Sequence, residues 1–191
     1  MQYLEDKFPR VSEKLVMDTP EDKAFVNLCV RVHDLYVASP NCTQPGFAHT
    51  QGAMYLAPYP TKHCAPDRIM DANTRSAKVA ELFKQLTWLE SNAKGPWLCG
   101  DQMTHADLTW FPTCIFMEFM LPRVFEWGNI FYETDVFPKI TAWFALCLEN
   151  AHFAGVRKQI YDHWTLKEEE GMFKAVKEDI DNNPQYKWKY M

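Results

Sequence analysis

Gly95-Pro96-Trp97-Leu98-Cys99-Gly100-Asp101-Gln102-Met103-Thr104-His105-Ala106-Asp107 is the stretch on which the fold turns. Gly95-Pro96 and Gly100-Asp101 bend the chain on either side of the short apolar segment Trp97-Leu98-Cys99. Thr104 and Asp107 then stand at the spacing of a capping box, in which the hydroxyl accepts from the Asp107 amide and the carboxylate returns to the Thr104 amide. The run that follows, to about Leu121, is apolar nearly all round through Leu108, Trp110, Phe111, Ile115, Phe116, Met117, Phe119 and Met120. Such a helix belongs at the centre of a bundle, and a buried start needs its orphan amides satisfied.

Working towards the N-terminus, Asp67 to about Asn92 has helical periodicity. Ala72, Val79, Leu82, Leu86 and Leu89 form its inward stripe, and Arg75, Lys78, Glu81, Lys84 and Glu90 its wet face. Before it, residues 39–66 hold Pro40, Pro45, Gly46, Gly52, Pro58, Pro60 and Pro66, too many breakers for a regular element. This long loop carries Phe47, Met54, Tyr55, Leu56 and Tyr59, a content that predicts packing on the body of the protein or on a partner. Thr19-Pro20-Glu21-Asp22 starts a helix to about Ala38, with Phe25, Leu28, Cys29, Val32, Leu35 and Tyr36 as its buried stripe. Residues 1–9, Met1 to Pro9, read as the end of an amphipathic helix stopped by proline, and a helix end with no beginning suggests sequence upstream.

Working towards the C-terminus, Pro122 and an irregular aromatic stretch (Phe125, Trp127, Phe131, Tyr132) precede a helix opened by Phe137-Pro138. A further helix is expected from about Gly155 to Trp164 and a charged one from Leu166 to Ile180. The tail, 184–191, alternates aromatic and basic side chains through Tyr186, Lys187, Trp188, Lys189 and Tyr190. No segment of consequence has strand periodicity, so the expected class is all-α.

Composition agrees with a single well-filled core. The 191 residues are 47% apolar and 15% aromatic with seven Trp, which excludes disorder for most of the length. A net charge of −5 argues against nucleic acid as a partner. The longest apolar stretch, Leu108 to Leu121, is shorter than the ~20 residues of a membrane span. Six scattered cysteines without a C-x-x-C pair read as reduced thiols in a reducing compartment, cytoplasm or plastid stroma, and the histidine and cysteine spacings predict no metal site.

The Gly95 to Asp107 segment resembles the hallmark of the glutathione transferase C-terminal domain: an apolar pair, Gly-Asp, then Ser/Thr-x-Ala-Asp opening the buried central helix. Phe137-Pro138-Lys139-Ile140-Thr141-Ala142-Trp143-Phe144 is similar to the family's later Pro-x-x-x-x-Trp helix. Gln2 to Pro9 resembles the last helix of the family's thioredoxin-like N-terminal domain. The resemblance thus implies residues 1–9 as a remnant of that domain, 10–183 as a helical transferase C-terminal-like domain, and 184–191 as a tail. The 39–66 loop is longer and more aromatic than the family's usual link. His33 to Cys42 resembles plant and algal members most.

In the family, glutathione is held by the thioredoxin-like domain, which also supplies the residue that activates its thiol. The resemblance therefore implies no catalytic residue and no cofactor in the chain as given, and glutathione only if an N-terminal domain exists. By position it implies Tyr36, Trp110 and Cys114 as an apolar pocket wall, although core packing is the plainer reading of each. Thr104 and Asp107 are read as structural caps, and His33 and His105 as satisfied or exposed helix histidines. The expectation that follows is a non-catalytic transferase-like subunit docking on a larger protein assembly, with an algal photosynthetic membrane complex, in peripheral association, as one host. Its contacts would be an uncovered apolar face, the 39–66 loop (Phe47, Tyr55, Tyr59) and the tail (Tyr186, Trp188, Tyr190), with a homodimer as another way to cover that face. The alternative expectation is a fragment of an active glutathione transferase or glutathione-dependent thiol transferase or reductase.

Overall fold

Thr19 accepts a hydrogen bond from the Asp22 amide at 3.1 Å and donates its hydroxyl to the Asp22 carboxylate at 2.6 Å. With Pro20 at the first helical position, this cap begins α1, Pro20–Val32. The computed structural model in which this is seen describes residues 14–38, 50–132 and 135–190, together with Tyr3, Lys7 and Phe8. Phe47 and the rest of 39–49 lie outside the described residues.

α1 continues into one π-turn, His33–Val37, closed by the Ala38 amide donating to the His33 carbonyl five residues back. Val26, Cys29, Val32, His33 and Val37 point inward, whereas Leu28, Leu35 and Tyr36 are exposed. The predicted stripe is therefore corrected: only Cys29 and Val32 of it are buried, and Phe25 is half-buried.

α2, Ala72–Asn92, starts later than predicted because Asp71 caps it, accepting from the Thr74 amide at 3.0 Å; Pro66–Arg68 is a separate 3₁₀ turn. Val79, Leu82, Leu86 and Leu89 are buried as the pattern requires, but so is Arg75, which the pattern placed on the wet face. The reason is a complete set of acceptors. Its guanidinium donates to the carbonyls of Ala53 (2.6 Å), Leu56 (2.8 Å) and Met70 (3.0 Å) and to the Asp179 carboxylate (3.2 Å). A charge so completely paired tolerates burial that an isolated one would not. Arg75 thereby ties the described half of the long loop, with its 3₁₀ turn Thr50–Met54 and buried Met54, Leu56 and Cys64, to the body of the domain.

α3, His105–Phe125, is the buried central helix, packed against α1 and against the later helices α5, Ala151–Glu169, and α6, Lys174–Asn182. It runs past Pro122, where a stop was expected, and ends at Glu126, whose φ of 54° is left-handed. Val124 and Phe125 are buried, Phe125 against Trp188 of the tail, and the Arg123 guanidinium donates to the Phe119 carbonyl. α4, Pro138–Glu149, has its first amides capped from outside: Glu90 of α2 accepts from Lys139 and Ile140, both at 2.9 Å. Asn150 links α4 directly to α5, accepting from the His152 amide. The predicted break between two helices near Thr165 is absent. The chain turns at Gly171 instead, whose φ of +83° is accessible to glycine at little cost. Among the described residues there is no strand, only isolated bridges at Thr61–Cys64 and Trp97–Gly100.

Candidate functional site

The Asp107 carboxylate is fully buried and accepts four hydrogen bonds. One oxygen takes the Thr104 amide (2.7 Å) and hydroxyl (2.9 Å); the other takes the Leu98 amide (2.9 Å) and the Trp143 indole N–H (2.8 Å). The capping box is formed, and its acid also fixes the 97–100 turn and α4. Burial raises the Asp107 pKa above the usual carboxylate value, with the four donors opposing that rise. This group holds the N-terminal end of α3 in place; it has no contact with solvent or reactant.

Around that end two hollows open. A cleft of about 810 Å³ is lined by Trp97, Met103 and Leu108, with Asp101 and Gln102 at its polar side and Lys14 and Leu15 across from them. A smaller hollow of about 110 Å³ shares Leu15 and is bounded by Met17, Val26, Asn27 and His105. The larger one is within the size range of small-molecule sites and joins apolar walls to a few polar groups.

Behind α1, His33 lies between Asp34 and Thr113. Since the carboxylate can only accept, Nδ1 donates to Asp34 (3.0 Å) and Nε2 accepts the Thr113 hydroxyl (2.8 Å). The carboxylate–imidazole–hydroxyl order is that of a nucleophile relay. Thr113 is nonetheless buried on the inner side of α3, and His33 packs edge-on against Trp110, so the hydroxyl has no room for an acyl substrate. Burial lowers the His33 pKa against the opposing pull of Asp34, leaving a neutral imidazole.

Of the predicted wall, Trp110 and Cys114 are fully buried core, with the Trp110 indole donating to the Cys29 carbonyl at 3.0 Å, while Tyr36 is exposed on the other side of the π-turn. The aromatic residues singled out as partner contacts are largely engaged within the chain. Tyr55 packs on Trp164, Tyr59 donates to Glu178, Tyr186 and Phe125 flank the buried Trp188, and Tyr190 stacks on Phe83. Among the described residues no cluster of three or more His, Cys, Asp or Glu is suited to a metal ion, and no helix is long and apolar enough to cross a membrane.

Three features went unseen in the sequence: the inward Arg75, the buried Glu118–Arg157 pair with its 2.6 Å bidentate contact, and the approach of Cys29 to Cys99. Glu118 carried a signal, since an acid in an otherwise apolar helix requires a cation from a neighbour.

An all-α bundle built around a buried helix with a Thr-x-x-Asp cap, the acid reaching an indole on a later helix, defines the class. Residues 72–146 match the family model described as glutathione S-transferase, C-terminal domain. The fold is similar to that of a glutathione S-transferase from Rhodospirillum rubrum F11, at 19% identity and a TM-score of 0.53, over 81% of this chain and 61% of that one. It is also similar to glutathione transferase Omega 3C from Trametes versicolor, at 21% identity and a TM-score of 0.49, over 88% of this chain and 64% of that one. The chain thus spans about three fifths of the length of the transferases it matches. No curated protein matches it.

Proposed function

We propose that the chain is the helical part of a glutathione-dependent transferase and that the cleft beside Trp97, Met103 and Leu108 receives its apolar second substrate. The observation that carries this reading is the position of the cleft, at the N-terminal end of the central helix, with an apolar wall rigidly held from behind by Asp107. On this reading a thioredoxin-like domain supplies the glutathione site and thiol activation; the stretch 1–9 expected to be its last helix lies, apart from Tyr3, Lys7 and Phe8, outside the described residues. None of the four donors on Asp107 is free to do that work, and the thiols of Cys114 and Cys147 are pushed up by burial away from reactivity.

The test uses the protein isolated from its source. Retention on immobilised glutathione and conjugation of glutathione to 1-chloro-2,4-dinitrobenzene are expected. Leu108→Arg, at a half-buried position in the cleft wall, is expected to raise KM for the electrophile by roughly tenfold or more while retention on glutathione is unchanged. Equal KM values in the two proteins would remove the cleft from the reading.

A second reading, a non-catalytic subunit docked in a protein assembly, draws on the outward Leu28, Leu35 and Tyr36 of α1 and its π-turn. It predicts no retention on glutathione and co-migration with a larger complex on native gels, lost in a Leu28→Glu, Leu35→Glu double variant.

A further inference from the structure

Cys29 of α1 and Cys99 of the 97–100 turn are 70 residues apart in sequence, and their sulfurs are 3.8 Å apart in the core. Both side chains are almost fully buried, at 1% and 2% exposure. The backbone around the pair is anchored, with the Cys29 carbonyl accepting from the Trp110 indole and the Leu98 amide, next to Cys99, donating to Asp107. A disulfide needs sulfurs about 2.05 Å apart, so closing this pair requires an approach of about 1.8 Å.

We propose that Cys29 and Cys99 are a redox-active dithiol that hydrogen peroxide closes to an intrachain disulfide, clamping α1 to the turn that carries Trp97. The oxidant's approach is from the hollow of about 110 Å³, which neither sulfur lines. It is bounded by Val26, one turn before Cys29, and by Met17, whose methyl group lies 3.8 Å from where a Cβ on Gly100, the residue after Cys99, would stand. A peroxide molecule is little larger than water, which occupies about 30 Å³ in the liquid.

The contact with Cys29, helped by Thr104 against the opposing effect of burial, lowers the Cys99 pKa, while the contact with Cys99 and burial raise Cys29, which favours Cys99 as the attacking sulfur. In the first step the Cys99 thiolate attacks one peroxide oxygen, the O–O bond breaks, and hydroxide leaves, giving Cys99 sulfenic acid. In the second, the Cys29 sulfur attacks the Cys99 sulfur, the S–S bond forms, the S–O bond breaks, and the oxygen leaves as water with the Cys29 proton. Two thiols give up two electrons, and one peroxide is reduced to two waters. A dithiol reductant reverses the change.

The test treats the reduced full chain with hydrogen peroxide and follows intact mass under non-reducing conditions. A loss of 2 Da, two fewer alkylatable thiols, and a tryptic peptide linking Cys29 to Cys99 that dithiothreitol dissolves are expected. In Cys29→Ser the 2 Da loss disappears and Cys99 is captured by dimedone as sulfenic acid. Retention of all six thiols at peroxide levels that oxidise an exposed control thiol would overturn the proposal, as would a linked peptide joining either residue to a different cysteine. The peptide map is read on the unmodified sequence, so an outcome is obtained even if the serine variant fails to fold.

Discussion

The indole N–H of Trp143 donates to Asp107 Oδ1 across 2.8 Å, joining the start of the central helix to the middle of α4. The same oxygen takes the Leu98 amide, so a single buried acid closes three segments onto one point. Replacing Asp107 by Ala leaves four buried donors without acceptors, and each orphan costs about 1–3 kcal/mol before relaxation. Asp107→Ala is expected to lower the unfolding free energy by about 3–5 kcal/mol in urea titrations. Asp107→Asn fares little better, because its amide must turn a donor towards Thr104 or towards the Leu98 and Trp143 pair. Trp143→Phe, which leaves the Leu98 bond intact, is expected to cost about 1–2 kcal/mol.

Arg75 makes a similar closure at the other end of α2, but its acceptors are mostly main-chain atoms. Arg75→Met fits the apolar surroundings yet abandons the carbonyls of Ala53, Leu56 and Met70 and leaves Asp179 without its cation. The expected result is local: amides of 52–57 exchange with solvent at least roughly tenfold faster, and a protease cuts first within 50–70. Arg75→Lys is expected to rescue little, since one ammonium cannot span the four directions that the guanidinium fork serves. Unchanged exchange in this segment would mean that the buried faces of Met54 and Leu56 alone hold it.

The contrast between these two residues shows what the sequence could disclose. Thr104 and Asp107 are three residues apart, and capping chemistry is local, so their pairing is legible without coordinates. Trp143 also stands at a recognisable place in its helix, but nothing local says that its N–H reaches Asp107. Arg75 was misplaced because periodicity assigns charge to water, and backbone carbonyls carry no residue identity that would mark them as its partners. The π-turn at His33–Val37 has no composition signature, and the buried face of α1 runs through Val26, Cys29, His33 and Val37, which leaves Leu28, Leu35 and Tyr36 of the expected stripe at the surface. The cleft combines Leu15 with Trp97, Met103 and Leu108, ordinary apolar residues whose convergence exists only in the fold.

His33 gives stability a pH dependence of defined sign. Burial lowers its pKa in the folded state below the ordinary 6.5, with the Asp34 carboxylate opposing, while the unfolded chain titrates near 6.5. The stabilising contribution of neutral His33 is therefore present above pH 6.5. It is lost as pH falls from there towards the folded-state pKa, because the unfolded state takes up a proton that the folded state refuses. His33→Gln, which retains polar contact with Thr113, is expected to flatten the fall in unfolding free energy between pH 6.5 and 5. The slope removed is at most about 1.4 kcal/mol per pH unit, the value for one proton. Identical slopes in the two proteins would show that His33 takes up its proton in the fold after all.

The tail is the last place where packing and docking make opposed claims. As a free partner-binding segment, 184–191 would leave thermal stability unchanged when removed. In the fold, Trp188 is buried and stacked on Phe125 with ring centroids 5.9 Å apart, its carbonyl accepts the Trp127 indole N–H, and Tyr190 stacks on Phe83 at 5.6 Å. Lys189 adds an exposed contact to Glu126, where little stabilisation is expected. Truncating a buried Trp to Ala typically costs about 3–5 kcal/mol, and in a domain of this size each kcal/mol moves Tm by roughly 2–4 °C. Trp188→Ala is accordingly expected to lower Tm by roughly 6–20 °C, and removal of 184–191 by at least as much, in differential scanning calorimetry. Trp188→Phe, which keeps the stacking and the backbone acceptor, is expected to recover most of the loss. If Trp188→Ala instead melts with the parent protein, the tail is detached in solution and its aromatic residues become available to a partner.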